Sequence, residues 1–138
     1  MTVQLLHPLG NFPGAVGFPT EVGLSLARTF AGICETCPMI TEHALLPVIS
    51  GLEEDFEEAF DQARLIIASM PGFISLSLSR SIETPSTYLL LVKWDSLDDH
   101  TVGFRGSPQY QQWRELLHRF YEPFPNVEHY ELVNSASR

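Results

Sequence analysis

Basic residues are scarce in this 138-residue chain: eight Lys and Arg stand against 17 Asp and Glu, a formal net charge of −9. A nucleic-acid partner needs clustered cations to displace counterions from phosphates, so this scattered handful excludes one. The acidity favours solubility and does not name a substrate. No apolar run is long enough to cross a bilayer, and Met1 to Gly10 has no basic residue ahead of Leu5-Leu6, with Pro8 and Gly10 interrupting it. The expectation is a cytoplasmic protein with no membrane partner. Cysteine is confined to one C-x-x-C, Cys34 and Cys37. A thiol-redox role needs that motif at a strand-to-helix junction, and zinc needs a second ligand pair. Neither context accompanies it, so the two read as free thiols and no metal or cofactor is expected.

What the chain does have is a 44% hydrophobic and 18% charged composition, ordinary for one globular domain. Residues 1–38 carry Pro and Gly throughout without sustained periodicity, and only 21–33 suit a short helix, so they read as an irregular extension. Residues 39–138 read as the folded domain.

Within that domain, Ile40 to Val48 suits a first strand, with Ile40, Glu42, Ala44 and Leu46 on one face and Thr41, His43 and Leu45 on the other. Ser50 and Glu53 have capping-box spacing. The helix that follows buries Phe56, Phe60, Ala63, Ile67 and Met70, and wets an acidic face of Glu57, Glu58 and Asp61. Pro71-Gly72 stops it. Phe73 to Ser81 alternates Ile74, Leu76 and Leu78 with Ser75, Ser77 and Ser79. Tyr88 to Asp95 is apolar on both faces, as in a central strand. Ser96 and Asp99 cap a short helix that puts Leu97, Thr101 and Phe104 on one side with His100 beside them. Ser107-Pro108 starts another helix, buried through Tyr110, Trp113, Leu117 and Phe120 and ended by Pro123 and Pro125. Val127 to Val133 is the last strand.

The fold class is therefore α+β, a ferredoxin-like βαββαβ unit with a four-stranded antiparallel sheet and helices on one face. One helical layer leaves the other face bare, and a second copy of the chain is the simplest cover.

Several strings in 39–133 carry a resemblance: Leu46-Pro47-Val48, Met70-Pro71-Gly72-Phe73, Tyr88 through Trp94, Asp99-His100, Gly103-Phe104-Arg105-Gly106-Ser107, and Phe120-Tyr121-Glu122-Pro123-Phe124 leading to His129-Tyr130. In these the chain resembles the antibiotic biosynthesis monooxygenase family of dimeric α+β barrel proteins. The resemblance implies a homodimer with sheets face to face and a pocket in each subunit between sheet and helices. It also implies several possible activities: oxygenation of polycyclic phenols without flavin or metal, haem cleavage, or none assigned. Fold membership does not choose among them.

Cofactor-independent oxygenation needs a substrate whose anion passes an electron to O₂, so the protein must take a proton, hold an oxyanion and exclude water. His100 is the base by residue type, titrating near neutrality, and Arg105 is a permanent cation for a phenolate. Trp94, Phe104, Trp113 and Tyr121, with His43 beyond them, are candidates to bind an aromatic phenol, anthrone or quinol. Each has a structural alternative: His100 as a hydrogen-bonding group of its own helix, Arg105 as the ion-pair partner of Asp98 or Glu122, and the indoles as core. Haem cleavage fits less well. Of the trio that the resemblance implies for it, Trp94 matches, but Arg114 stands nearest the axial histidine position, with His118 a turn on, and His43 or Ala44 stands where an asparagine is used. A binding or pairing module without catalysis is the other class.

Overall fold

In a computed structural model of the chain, which describes residues 38–138, Ile40–Pro47 forms β1 and alternates strictly: Ile40, Glu42, Ala44 and Leu46 are buried, while Leu45 is exposed. The short helix suggested for 21–33 and the Cys34/Cys37 pair lie outside the described residues.

Helix α1, Glu53–Ala68, begins later than the Ser50 capping box implies. Gly51 has φ +96°, and Leu52 N–H donates to Ile49 O at 3.0 Å, so a tight turn separates Ser50 from the helix. Glu53 consequently reaches back to Gly51 N–H at 2.8 Å and not to Ser50. The predicted stripe is buried from Phe56 to Met70. Complete burial of one such Phe or Ile contributes about 1.5–3 kcal/mol. Phe56 alone meets the rings of Tyr88 at 4.9 Å and Phe120 at 5.8 Å, so α1 is fastened to both the sheet and the C-terminal half.

Gly72, at φ +84°, turns the chain into β2, Phe73–Arg80. There the register against β3, Thr87–Trp94, slips between Phe73 and Ser75. Ile74 is the extra residue of that irregularity and is 43% exposed, so it does not join Leu76 and Leu78 on the buried face as simple alternation predicts. Ser75, Ser77 and Ser79 point away from the helices, opposite Lys93, Leu91 and Leu89.

The next segment departs from an α-helix. Asp99–Phe104 is a π-helix, with Arg105 N–H donating to His100 O at 3.0 Å. Ser96 caps it as expected, its Oγ accepting from Asp99 N–H at 3.2 Å. The wider winding buries His100 and Phe104 and turns Leu97 outward, where α spacing would group Leu97 with Phe104.

Ser107 then caps α2, Pro108–Leu117, by accepting from Tyr110 N–H, and Trp113 and Leu117 are buried. A 3₁₀ turn, His118–Phe120, ends the helical run before either proline is reached. β4, Val127–Glu131, closes a four-stranded antiparallel sheet of order β2-β3-β1-β4, the ferredoxin-like arrangement, with both helices on one face. No helix among the described residues is long and apolar enough to cross a membrane.

Candidate functional site

The helix-facing side of β1 carries one charged residue. Glu42 stands between Ile40 and Ala44 in the alternation, is 5% exposed, and faces the core. A carboxylate there costs several kcal/mol unless it is satisfied. Its partners come from the next strand and the π-helix: Trp94 Nε1 donates to Glu42 Oε2 at 2.9 Å, and His100 Nε2 lies 3.4 Å from the same oxygen. The other imidazole nitrogen, His100 Nδ1, is 2.8 Å from Nε2 of His129, the β4 residue directly across from Glu42.

The π-helix explains how His100 reaches this position. One extra residue in the turn rotates the imidazole under the sheet, where it stacks on Trp94 at 5.4 Å and on Phe104 at 6.2 Å. His100 is 2% exposed.

Electrostatics follow from that burial. His100 is lowered to about 3 by desolvation first and then by the charge of Arg105 and by His129. It is therefore a neutral imidazole at pH 7, not the group titrating near neutrality that its residue type suggests. Burial raises the Glu42 carboxyl above its ordinary range, against the lowering effects of the Trp94 hydrogen bond and Arg105. His129 is lowered as well, by burial and then Arg105. Arg105 itself is exposed at the end of the π-helix. It acts on the cluster through its field, and among the described residues it makes no ion pair with Asp98 or Glu122.

Trp113 and Tyr121 belong to a different feature. They wall a cavity of about 60 Å³ between the sheet and α2, floored by Ala44, Leu90 and Val127 and edged by Phe124. His118 packs edge-on against Phe124 at 4.9 Å and near Tyr121 at 5.9 Å, giving the mouth an aromatic rim. Burial raises the Tyr121 hydroxyl well above its ordinary range, and nearby Glu42 adds to the shift.

The two features adjoin. Glu42 pairs with His129 and Ala44 with Val127 on the same face of the same ladder, so the polar cluster begins where the cavity floor ends. Of the seven residues singled out from sequence, Trp94, His100 and Phe104 thus gather around Glu42, and Trp113 and Tyr121 line the cavity. Arg105 stands at the surface. His43 faces the other side of the sheet, where its ring meets Tyr130 at 5.5 Å. Sequence reasoning missed Glu42, although an acid in the apolar row Ile40–Leu46 was a legible signal. His129, His118 and Phe124 stood in or beside strings singled out from the sequence, but nothing local tied them to this site, because only the fold brings them together.

A profile of the antibiotic biosynthesis monooxygenase family matches residues 39–116. The uncharacterized protein YczJ of Bacillus subtilis is 56% identical over 95 residues, which span 69% of this chain and 100% of YczJ. A provisionally named antibiotic biosynthesis monooxygenase from Bordetella bronchiseptica is 39% identical, with a TM-score of 0.68 over 70% of this chain and 99% of its own. SnoaB, a cofactor-independent oxygenase from Streptomyces nogalater, shares the fold at 19% identity and a TM-score of 0.57, over 72% of this chain and 96% of its own.

Proposed function

The chain belongs to the antibiotic biosynthesis monooxygenase family, and from that premise we propose that it is a cofactor-independent monooxygenase using O₂ on an aromatic small molecule of phenol, anthrone or quinol type. The observation that carries the proposal is the buried Glu42–His100 couple at the edge of an aromatic-walled cavity. Activating such a substrate toward O₂ requires removal of one proton in a dry setting. Desolvation makes the Glu42 carboxylate a stronger base than usual, and the neutral His100 ring can pass a proton on without taking a charge. Trp113 and Tyr121 hold the substrate ring. Trp94 and Phe104 fix the His100 plane, and the Arg105 field favours negative charge as the substrate anion forms.

The protein works as a homodimer in this reading, the helix-free face of the sheet packing on a second copy. Leu45, 53% exposed, stands there with Leu89, Leu91 and Tyr130.

One observation favours a second reading, a binding module without catalysis. A cavity of about 60 Å³ is well below the roughly 300–1,000 Å³ of drug-sized ligand sites. Oxygen uptake with a panel of anthrone- and hydroquinone-type compounds separates the two. The oxygenase takes up O₂ and loses that uptake in His100→Ala, with a smaller loss in Arg105→Ala. Uptake indifferent to both changes removes the mechanism, and no uptake across the panel leaves the binding module.

A further inference from the structure

We infer that Glu42, His100 and His129 form a proton relay that runs from the inner end of the aromatic cavity to a groove at the β4 edge. The inference deepens the oxygenase reading and rests on it for the source of the proton, but the relay's own tautomers can be read without turnover.

Two contacts in series, joining three groups, define the path. Both interactions of the buried carboxylate use Oε2, which leaves Oε1 free of a hydrogen bond among the described residues, one alternation step along β1 from Ala44 of the cavity lining. His100 Nε2 faces that carboxylate at 3.4 Å, and its Nδ1 faces His129 Nε2 at 2.8 Å, so the ring is engaged at both nitrogens and bridges inner to outer. His129 is half-buried and lines a groove of about 440 Å³ with Ile40, Leu97, Asp98, Tyr130 and Glu131. Asp98 and Glu131 place acceptors where a proton leaves. A purely structural imidazole needs only one such bond. A string of three titratable groups, continuous from core to groove, is the arrangement that proton movement requires.

The charged groups around the string favour passage over storage. Arg105 faces it from the end of the π-helix, Glu42 from β1, His129 from β4 and the Tyr121 hydroxyl from just past the 3₁₀ turn, while β3 offers only the neutral Trp94 indole. Burial and Arg105 both disfavour an imidazolium at His100. The proton therefore crosses that ring by tautomer exchange. The cycle starts from protonated Glu42 and the Nδ1–H tautomer of His100: Glu42 gives its proton to His100 Nε2 as His100 Nδ1–H passes to His129 Nε2, and the carboxylate so formed takes the proton of the substrate.

The reaction restores the starting tautomers. When an anthrone-type methylene becomes a carbonyl with O₂ as oxidant, the C–H bonds release two protons. A C–O bond forms as O₂ is reduced to peroxide, which takes one proton. The O–O bond then breaks as the carbonyl forms, and the departing hydroxide takes the other to become water. Two protons leave and two return, so each outward shift along the relay is matched by an inward one.

The test uses the full chain with ¹⁵N-labelled histidine. Ionising Glu42 by raising the pH is expected to switch His100 from its Nδ1–H to its Nε2–H form and to move the His129 signals at the same pH. Glu42→Gln abolishes that joint step. Independent titration of His129, unchanged in Glu42→Gln, overturns the relay whatever the enzyme's activity. With an active substrate, His129→Ala is expected to lower kcat about 10²-fold, the low end for general acid–base catalysis, with KM unchanged. Added imidazole is expected to restore the rate saturably. A slow His129→Ala enzyme deaf to imidazole also overturns the inference, and His129→Gln replaces the variant if it fails to fold. Coupled histidine signals without any oxygen uptake keep the relay and discard the oxygenase reading.

Discussion

Trp94 and Glu42, 52 residues apart in sequence, share a buried hydrogen bond of 2.9 Å in which the indole nitrogen donates to a carboxylate oxygen. Trp94→Phe removes the donor and keeps an aromatic ring on the His100 plane. The stranded carboxylate is expected to cost about 1–3 kcal/mol, read from urea unfolding. In a Glu42→Leu background the same change should cost clearly less; equal costs in both backgrounds would mean that the indole acts by packing alone.

Acid sensitivity has its largest shift at His100, with His118 and His129 lowered in the same direction. The His100 pKa is depressed from 6.5 to about 3 on folding, so its contribution to stability is complete above the unfolded value and is lost as pH falls from 6.5 toward 3. The slope is about 1.4 kcal/mol per pH unit while one proton is at stake. Glu42, whose pKa is raised, works the other way: its contribution is full below 4.5 and is lost as pH rises through the folded value. His100→Gln should therefore flatten the acid limb of stability against pH and leave the Glu42 limb. A wild-type acid limb retained in His100→Gln would refute the assignment.

Gly72 combines a φ of +84° with a close approach to Asp99: a Cβ there would run into the Asp99 carboxyl. Gly72→Ala meets both the left-handed penalty, about 1–2 kcal/mol, and that clash. The expected melting drop is about 4–8 °C for each kcal/mol lost. Adding Asp99→Ala removes the carboxyl but keeps the Asp99 Cβ, which the added methyl also meets, so the double variant should recover only part of the clash component and melt a little above Gly72→Ala alone.

Phe124 edges the cavity while being 64% exposed, so little stability depends on it. Phe124→Ala should leave the melting temperature within about 2 °C, as expected when a surface change costs under ~0.5 kcal/mol. It should also admit larger aromatic ligands, followed by the fluorescence of Trp113 in the cavity wall. Identical ligand size limits in both proteins would assign the gate elsewhere.

Leu91 lies on the helix-free face of the central strand. Leu91→Glu puts a charge at the centre of the proposed subunit contact, and light scattering after size exclusion should show the dimer mass halved. A wild-type monomer, or a variant that pairs as before, would move the contact off this face.

The strands were legible because alternation is a backbone property: Ile40, Glu42, Ala44 and Leu46 take the buried face of β1 as the sequence indicates. The failures all sit where one residue is inserted or a turn is reversed. Ile74 leaves the period-two pattern at a register slip, Ser50 loses the helix start to the Gly51 turn, and Leu97 leaves its face to the π winding. The site was half legible. The aromatic residues and His100 stand out by type, but which atoms meet depends on pairings such as Glu42 with His129, which no local spacing encodes. Arg105, singled out as a cation for a phenolate, stands exposed, and its charge acts on buried Glu42 and His100 and on half-buried His129.

The loosely wound hexapeptide Asp99–Phe104 is one residue away from an ordinary helical turn. Excising Val102, whose side chain meets water, would let the turn tighten without a hole in the core, yet swing the imidazole about a quarter-circle out of its stack. A single codon loss could thus silence chemistry while sparing the scaffold, and sisters of this protein with a shortened segment would be natural candidates for carriers that hold a ring and leave it unchanged.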